Sequence, residues 1–202
     1  MSSAEWGSEL EARWAHAWRP EEVAARLVGV EAPWYVAAGW ALELFVGEPW
    51  RAHADLEIGV PANGFGEVLA RFPGVVLDVP VEGRVWFDVA PEVLAVTHQT
   101  WLRDPATDGY LCDVFREPSE GDLWICRRDE GIRLPYGEVV ERTAEGVPYL
   151  APELVLLFKA GEVRPKDQED FELVLPLLGS RRLSRLRAWL RRGHHGHPWL
   201  AA

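Results

Sequence analysis

Two acidic side chains stand two positions apart in the stretch RAHADLEIGV, residues 51–60. Asp55 and Glu57 alternate with apolar residues, which predicts a strand over residues 54–60 with both acids on one face. Two carboxylates held side by side repel each other, so either a pKa rises or a cation lies between them. The pattern favours Mg²⁺, which binds one or two protein carboxylates together with the phosphates of a substrate.

A turn suited to anion binding is predicted just before the acid pair. The stretch APWYVAAGW predicts a short strand that ends at Gly39, and WALELFVG predicts a helix from Trp40 that stops at Gly47. Glycine lets a ligand approach the backbone, and the helix start offers N–H groups to phosphate oxygens. Arg51 and His53 lie between the turn and the acids, either as ordinary loop residues or as contacts for triphosphate oxygens. Such a turn beside a metal-binding acid pair indicates phosphoryl or nucleotidyl transfer.

The rest of the chain predicts an α+β fold, a mixed β-sheet flanked by helices and followed by a helical C-terminal region. Apolar periodicity and capping signals predict helices over residues 2–18, 19–30, 61–72, 151–161, 164–178 and 181–192. Further strands are predicted over residues 74–81, 83–90, 110–117 and 122–128. The turn PSEG indicates that the last two strands form a hairpin, and residues 91–108 are ambiguous.

The charge of the chain restricts its partners. A formal net charge of −11 argues against a nucleic-acid partner and suits cationic small molecules and metal ions. The basic stretch over residues 181–192 is expected to lie against the chain's own acids, with an acidic partner as the alternative. No apolar run is long enough to span a membrane and no signal peptide is visible, so a cytoplasmic location is expected.

Two segments carry a resemblance to a known family. Residues 37–60, AAGWALELFVGEPWRAHADLEIGV, resemble the signature of the nucleotidyltransferase superfamily, which has the DNA polymerase β-like fold. The continuation Gly-Trp-Ala is similar to the branch that contains the aminoglycoside and lincosamide nucleotidyltransferases. Residues 149–178 resemble a second segment of small bacterial members, and residues 109–129 match more weakly. The resemblance implies a nucleotidyltransferase domain over residues 1–130 and a helical region over 131–202 that closes the cleft.

The resemblance also implies three catalytic carboxylates. Asp55 and Glu57 would hold two Mg²⁺ ions, and a third acid from a later strand would hold a metal or act as base towards the acceptor hydroxyl. The candidates are Asp78, Asp88 and Asp113. Asp113 is preferred because the third acid of the family precedes a turn and a strand that contains tryptophan, and Asp88 is the runner-up.

Two lysines in the second segment are candidates for nucleotide contacts, together with Gly39, Trp40, Arg51 and His53. Lys159 would otherwise extend from the end of an apolar helix towards solvent. Lys166 would otherwise pair with Asp170 one helical turn away.

The chain departs from the family pattern at two positions. Ala38 stands where the family usually has glycine, and this replacement is tolerated only if the residue does not need a positive φ. Glu43 stands where an aspartate is common.

The predicted function is transfer of a nucleoside monophosphate, AMP from ATP, to a hydroxyl of a small acceptor such as an aminoglycoside-like antibiotic. Two alternatives remain open. One is a toxin-type nucleotidyltransferase that modifies a protein or tRNA and docks through residues 181–192. The other is a non-catalytic nucleotide-binding module, suggested by Ala38. The sequence leaves the oligomeric state open.

Overall fold

A mixed β-sheet forms the centre of the computed structural model, which describes residues 2–201. The strands of the described residues, in chain order, are β1 (Ser2–Glu5), β2 (Tyr35–Val36), β3 (Glu57–Pro61), β4 (Val76–Val81), β5 (Arg84–Phe87), β6 (Gln99–Arg103), β7 (Tyr110–Glu117), β8 (Ser119–Glu120), β9 (Leu123–Ile125), β10 (Arg133–Pro135), β11 (Val140–Arg142) and β12 (Pro148–Leu150). Nine of them form one sheet in the order β1-β5-β4-β6-β7-β3-β2-β12-β11. The strands β8, β9 and β10 form a separate small sheet.

The pairing of strands within the large sheet brings distant segments together. The pairs β3–β7 and β2–β12 are parallel, and the other pairs of this sheet are antiparallel. The two strands that flank the opening turn and acid pair, β2 and β3, therefore lie between β7 and β12. Two parallel strands cannot be joined by a tight turn and need a long connection between them. The four central strands β7, β3, β2 and β12 therefore come from four separate stretches of sequence.

Helices cover the sheet and fill the C-terminal third. They are α1 (Ser8–Ala12), α2 (Pro20–Arg26), α3 (Ala38–Val46), α4 (Phe65–Leu69), α5 (Pro91–Leu94), α6 (Tyr136–Val139), α7 (Pro152–Lys159), α8 (Pro165–Val174) and α9 (Gly179–Gly193). Proline occupies the first turn of α2, α7 and α8, as the sequence predicts. Helix α7 is buried along almost its whole length and packs against both α3 and α9. The mixed sheet with flanking helices confirms the predicted α+β class.

The N-terminal helix predicted over residues 2–18 is wrong at its start. Ser2–Glu5 is a strand that pairs antiparallel with β5, and a short helix begins only after Gly7. The capping signal in this stretch is a local preference, and pairing with the edge of the sheet overrides it. The remaining part of the segment is α1 and a 3₁₀ turn over Arg13–His16.

The predicted hairpin of residues 110–117 and 122–128 is also wrong. Strand β7 pairs with β3 and β6, whereas β9 pairs with β8 and β10. The missing neighbour of β7 comes from the ambiguous stretch 91–108, which contains β6. Residues Thr100, Trp101 and Leu102 of β6 are all buried, so this strand lacks the alternation that marks a half-exposed strand.

The basic helix α9 lies against acids of the same chain, as the sequence predicts. Arg185 and Arg181 pair with Glu138, Arg182 pairs with Glu141, and Arg192 pairs with Asp129. The division into residues 1–130 and 131–202 stays a prediction, and the second region contributes β11 and β12 to the sheet. None of the helices in residues 2–201 is long and apolar enough to cross a bilayer.

Candidate active site

The turn between β2 and α3 holds its backbone in a strained conformation. Ala38 has a φ of +49°, in the left-handed region that alanine rarely adopts. From the sequence, alanine is expected to replace glycine here only if residue 38 does not need a positive φ, and the positive φ of Ala38 shows that it does. The next residue has a different requirement, because a Cβ on Gly39 would collide with the Arg51 guanidinium and the His53 ring. The two positions favour glycine for separate reasons, one conformational and one steric.

The substitution Ala38→Gly is expected to raise the free energy of unfolding by about 0.5–1 kcal/mol, because relief of the left-handed strain exceeds the entropy that glycine adds to the unfolded chain. Denaturant titration of both proteins measures the difference. Ala37→Gly is the matched control, since Ala37 has an extended φ of −115° and is buried. The control is expected to lower stability, and a loss of stability in Ala38→Gly would contradict the strain.

The acids come together where β3 and β7 run side by side. Asp55 lies just before β3, Glu57 is the first residue of β3, and Leu56 between them is fully buried. Asp113 of β7 stands directly opposite Glu57 in the parallel register, and its N–H donates to the Leu56 carbonyl at 2.8 Å. The predicted third acid therefore lies on the strand next to the acid pair.

The two rival acids lie elsewhere. Asp88 is exposed beyond the end of β5, and its N–H donates to the carboxylate of Asp78 at 2.9 Å. Asp78 is itself buried and accepts from Arg103 and from the Tyr110 hydroxyl. The geometry therefore favours Asp113 over both of them.

The electrostatics of the acid cluster indicate an excess of negative charge. Burial, followed by repulsion from Asp55, raises the pKa of Glu57 to about 7. Burial, followed by the charge of Glu57, raises the pKa of Asp113 well above its ordinary value. Gln99 opposes this shift by donating its amide to Asp113 Oδ2 at 2.5 Å. The other oxygen of Asp113, Oδ1, is buried and accepts no hydrogen bond of normal geometry among the described residues, although the Trp101 side chain lies close enough to oppose the rise in the Asp113 pKa.

The acid cluster fits a metal that arrives with a nucleotide. In residues 2–201, no three His, Cys, Asp or Glu side chains are grouped so that they could already hold an ion. A Mg²⁺ site, however, usually takes one or two carboxylates and completes its octahedron with phosphate oxygens and water. The orphaned Asp113 Oδ1 and the raised pKa of Glu57 are what such a cation would relieve.

Arg51 and His53 are held in place by the turn and by each other. The Arg51 guanidinium contacts His53 Nδ1 at 3.1 Å, and His53 Nε2 contacts a Glu43 carboxylate oxygen at 2.8 Å. Because the guanidinium is the donor, we assign the neutral tautomer with its proton on Nε2. Burial lowers the pKa of His53, which agrees with a neutral ring. The Trp40 ring stacks on His53 at 4.3 Å, and its Nε1–H donates to the Asp55 carbonyl at 2.9 Å.

A buried network of ion pairs connects this loop to α8. Asp170 accepts from Arg51 Nε at 2.9 Å and Nη2 at 3.0 Å, from Trp50 Nε1 at 3.1 Å and from Lys159 Nζ at 3.0 Å. Lys159 also contacts Asp167 at 2.5 Å, and Arg164 donates to the other oxygen of Asp167. Both aspartates are fully buried.

These pairings correct two expectations about the lysines. The predicted pair of Lys166 with Asp170 is wrong, because Asp170 pairs with Arg51 and Lys159, and Lys166 is exposed. Lys159 is buried in the network and does not extend towards solvent. Although burial opposes the shift, hydrogen bonds from Arg164 and Lys159 lower the pKa of Asp167 to about 2, so its charge is retained.

One cavity of about 800 Å³ brings most of the predicted site residues together. Gly39, Trp40, Arg51, His53, Asp55, Glu57, Lys159 and Lys166 all line it. Asp113 is only 3% exposed and does not line the cavity; Gln99, which does, is hydrogen-bonded to it. The structure therefore gathers residues from the turn, β3, β7 and the helical region at one cleft.

Several residues of the cleft are missed by the sequence interpretation. The unpredicted residues that line the cavity are Gln99, Glu117 and Arg164. Arg127 and Arg128, for which the sequence favours a cleft position and a surface position equally, line it as well. A signal for Glu117 is present, since Asp113, Phe115 and Glu117 alternate along one predicted strand. No comparable local signal marks Gln99, because its strand is not recognisable from the sequence.

Comparison with known proteins identifies the fold. No family model and no curated protein sequence matches the chain. The antibiotic-resistance factor ANT(2″)-Ia in solution has a TM-score of 0.57 at 19% identity, covering 85% of this chain and 89% of its own. The complex of ANT(2″)-Ia with adenylyl-2″-tobramycin has a TM-score of 0.58 at 19% identity, with coverages of 85% and 94%. Lincomycin-bound LnuA, a lincosamide antibiotic adenylyltransferase, has a TM-score of 0.54 at 18% identity, with coverages of 78% and 96%. The resemblance drawn from the sequence is thus confirmed at the level of the fold.

Proposed function

We propose that the protein is a nucleotidyltransferase that moves AMP from ATP to a hydroxyl of a small, antibiotic-like acceptor. One observation carries this conclusion: the strained turn, the acid pair and a set of basic side chains line a single cleft. The fold shared with ANT(2″)-Ia and LnuA supports it, since the former is solved with adenylyl-2″-tobramycin and the latter is a lincosamide antibiotic adenylyltransferase. Fold alone does not determine a reaction, so the chemistry of the cleft has to support the function as well.

The basic side chains of the cleft suit a triphosphate. The first turn of α3 presents N–H groups at Gly39 and Trp40, and Arg51 lies across the turn from them. Lys159, Arg164 and Lys166 line the cavity from the helical region. Arg51 and Lys159 already share Asp170, so the phosphates would add to an existing network of charges. His53 and Trp40 then act as positioning residues that hold Arg51 and Asp55.

Mg²⁺, when bound, would neutralise charge on the triphosphate and bind the carboxylates of Asp55 and Glu57, with Asp113 as a further ligand or as the base. The acceptor oxygen attacks the α-phosphorus, the bond to the β-phosphate oxygen breaks, and pyrophosphate leaves. Asp113 takes the hydroxyl proton in this proposal, because it is the third carboxylate of the cluster and stands opposite Glu57 on the neighbouring strand. Gln99 donates a hydrogen bond to Asp113, so the proposal requires the Gln99 side chain to move before an acceptor hydroxyl can reach that carboxylate.

The helical region over residues 131–202 closes the cleft in this proposal, because α7 and α8 supply its basic wall. A cytoplasmic location fits an enzyme that uses ATP. A toxin-type activity is less favoured, since arginines of α9 are engaged with Glu138, Glu141 and Asp129 of the same chain.

Pyrophosphate release from each NTP, measured across a panel of hydroxyl-bearing acceptors, tests the function. Asp55→Asn is expected to slow release by about 10²–10³-fold, the usual loss when one electrostatic contact to a transition state is removed. The matched control is Asp122→Asn, at an exposed position that does not line the cleft, and it is expected to keep full activity. Full turnover by Asp55→Asn would show that the site is assigned wrongly. ATP binding without pyrophosphate release for any acceptor would indicate the non-catalytic module instead.

A further inference from the structure

A tryptophan stands directly opposite Asp113 on the neighbouring strand. In the antiparallel pairing of β6 with β7, Trp101 is opposite Asp113 and Gln99 is opposite Phe115. Directly opposed residues point to the same face of a sheet with their Cβ atoms about 5 Å apart, whereas diagonal neighbours are about 7–8 Å apart. Trp101 is therefore the direct neighbour of the Asp113 side chain, and Gln99 reaches the same carboxylate along the diagonal.

The indole of Trp101 and the carboxylate of Asp113 carry complementary atoms that lack normal hydrogen bonds. Trp101 Nε1 is a buried donor without an acceptor among residues 2–201, and Asp113 Oδ1 is a buried acceptor without a donor of normal geometry there. The two groups lie close enough for the indole to oppose the rise in the Asp113 pKa that burial and Glu57 cause. A buried polar atom without a partner is costly, so a small rotation that joins the two is favourable.

Aromatic neighbours hold the Trp101 ring in place. The ring packs edge-on against Trp6, Trp14 and Tyr110, with ring centroids 5.1, 5.3 and 4.9 Å away. Trp101 is 7% exposed and does not line the cleft. Because three rings pack around the indole, the smaller Asp113 carboxylate is the group that turns towards it.

We propose that Trp101 is a positioning residue that replaces Gln99 as the hydrogen-bond donor to Asp113 during transfer. In the structure, Gln99 lines the cleft and donates to Asp113 Oδ2 at 2.5 Å. When the Gln99 side chain moves, the carboxylate turns so that Oδ1 accepts from the Trp101 indole, and Oδ2 is left free for the acceptor proton. The carboxylate thereby keeps one donor in both arrangements. This role rests on the proposed function, in which Asp113 takes that proton.

Trp101→Phe tests this role, because it keeps an aromatic ring in the cluster and removes the N–H donor. Pyrophosphate release is measured with ATP and with lincomycin or tobramycin as the acceptor. We expect kcat to fall about tenfold, the effect of losing one hydrogen bond to a charged group. The KM for ATP should stay unchanged, since Trp101 does not line the cleft, and this also shows that the variant is folded.

Trp14→Phe is the matched control. Trp14 packs against Trp101 and Tyr110 in the same cluster and is equally buried, but it belongs to a 3₁₀ turn and not to the strand beside Asp113. Both variants lose packing and should lose similar stability in a denaturant titration, whereas Trp14→Phe should keep full kcat. Equal losses of kcat in the two variants, or an unchanged kcat in Trp101→Phe, would overturn the role.

The NMR signal of the Trp101 indole N–H tests the exchange of donors without any activity. Trp101→Phe identifies the signal by its loss. In Gln99→Ala, where the first donor is missing, we expect the signal to move downfield and the proton to exchange with solvent about tenfold more slowly, because the indole has gained an acceptor. An unchanged signal would overturn the replacement of Gln99 by Trp101. A shifted signal in a protein that releases no pyrophosphate with either acceptor would support the exchange of donors and overturn the proposed function.

Discussion

Asp113→Asn is expected to lower the rate of pyrophosphate release by about 10²–10⁴-fold, the usual contribution of a general base. The carboxylate stands opposite Glu57 on the neighbouring strand, and asparagine has nearly the same shape but accepts no proton. Stability should not fall, because the substitution removes one charge from a crowded group of acids and leaves an oxygen that Gln99 can donate to. Steady-state pyrophosphate release and a denaturant titration measure the two quantities.

Asp88→Asn is the control for this substitution and decides between the two candidate acids. Asp88 is exposed and has a φ of +49°, a conformation that asparagine adopts readily. We expect its activity to equal that of the unchanged protein. If Asp88→Asn lost activity and Asp113→Asn kept it, the third catalytic carboxylate would be the runner-up and the proposed geometry would have to be abandoned.

Asp170→Ala should lower the free energy of unfolding by about 3–5 kcal/mol, the typical cost of removing one partner from a buried ion pair. The buried carboxylate holds Arg51 through two hydrogen bonds and Lys159 through an ion pair. Without the Asp170 carboxylate, the positive charges of Arg51 and Lys159 lose a buried negative partner. Inorganic triphosphate should then restore part of the lost stability, because the freed cations can bind it and binding favours the folded state. Denaturant titration with and without triphosphate measures both effects.

Glu169→Ala serves as the reference for this loss, since Glu169 is an exposed acid on the same helix. A surface substitution of this kind should change stability by less than about 0.5 kcal/mol. Equal stability losses in the two variants would mean that the effect comes from helix α8 and not from the network. A small loss in Asp170→Ala alone would mean that Arg51 and Lys159 find other partners.

The proposed catalytic centre is predictable from the sequence because its main parts are contiguous. The turn at Gly39 and the acids Asp55 and Glu57 fall within one stretch of 24 residues, 37–60, and period-two alternation places both acids on one face. The cavity lining agrees with this prediction. Proline at the start of α7 and α8 likewise marks those helices through a local preference.

The parts that the sequence does not reveal depend on long-range pairing. Asp170 is 119 residues from Arg51, and no local pattern indicates that they meet. Strand β6 is buried between β4 and β7, so it shows no alternation, and Gln99 on this strand could not be assigned to the site. Overall charge is similarly uninformative about the cleft, because a sum over the chain does not show that arginines and lysines line it beside the acids.

The parallel pairing of β2 with β12 has a consequence for the order in which the chain folds. Val36, two residues before the strained turn, pairs with Tyr149, more than a hundred residues later. Contacts between such distant positions form slowly, because the intervening chain must first be ordered. During synthesis, β2 lacks this neighbour until residue 150 has left the ribosome. The turn proposed to bind phosphate is therefore expected to form late, after about three quarters of the chain has been synthesised.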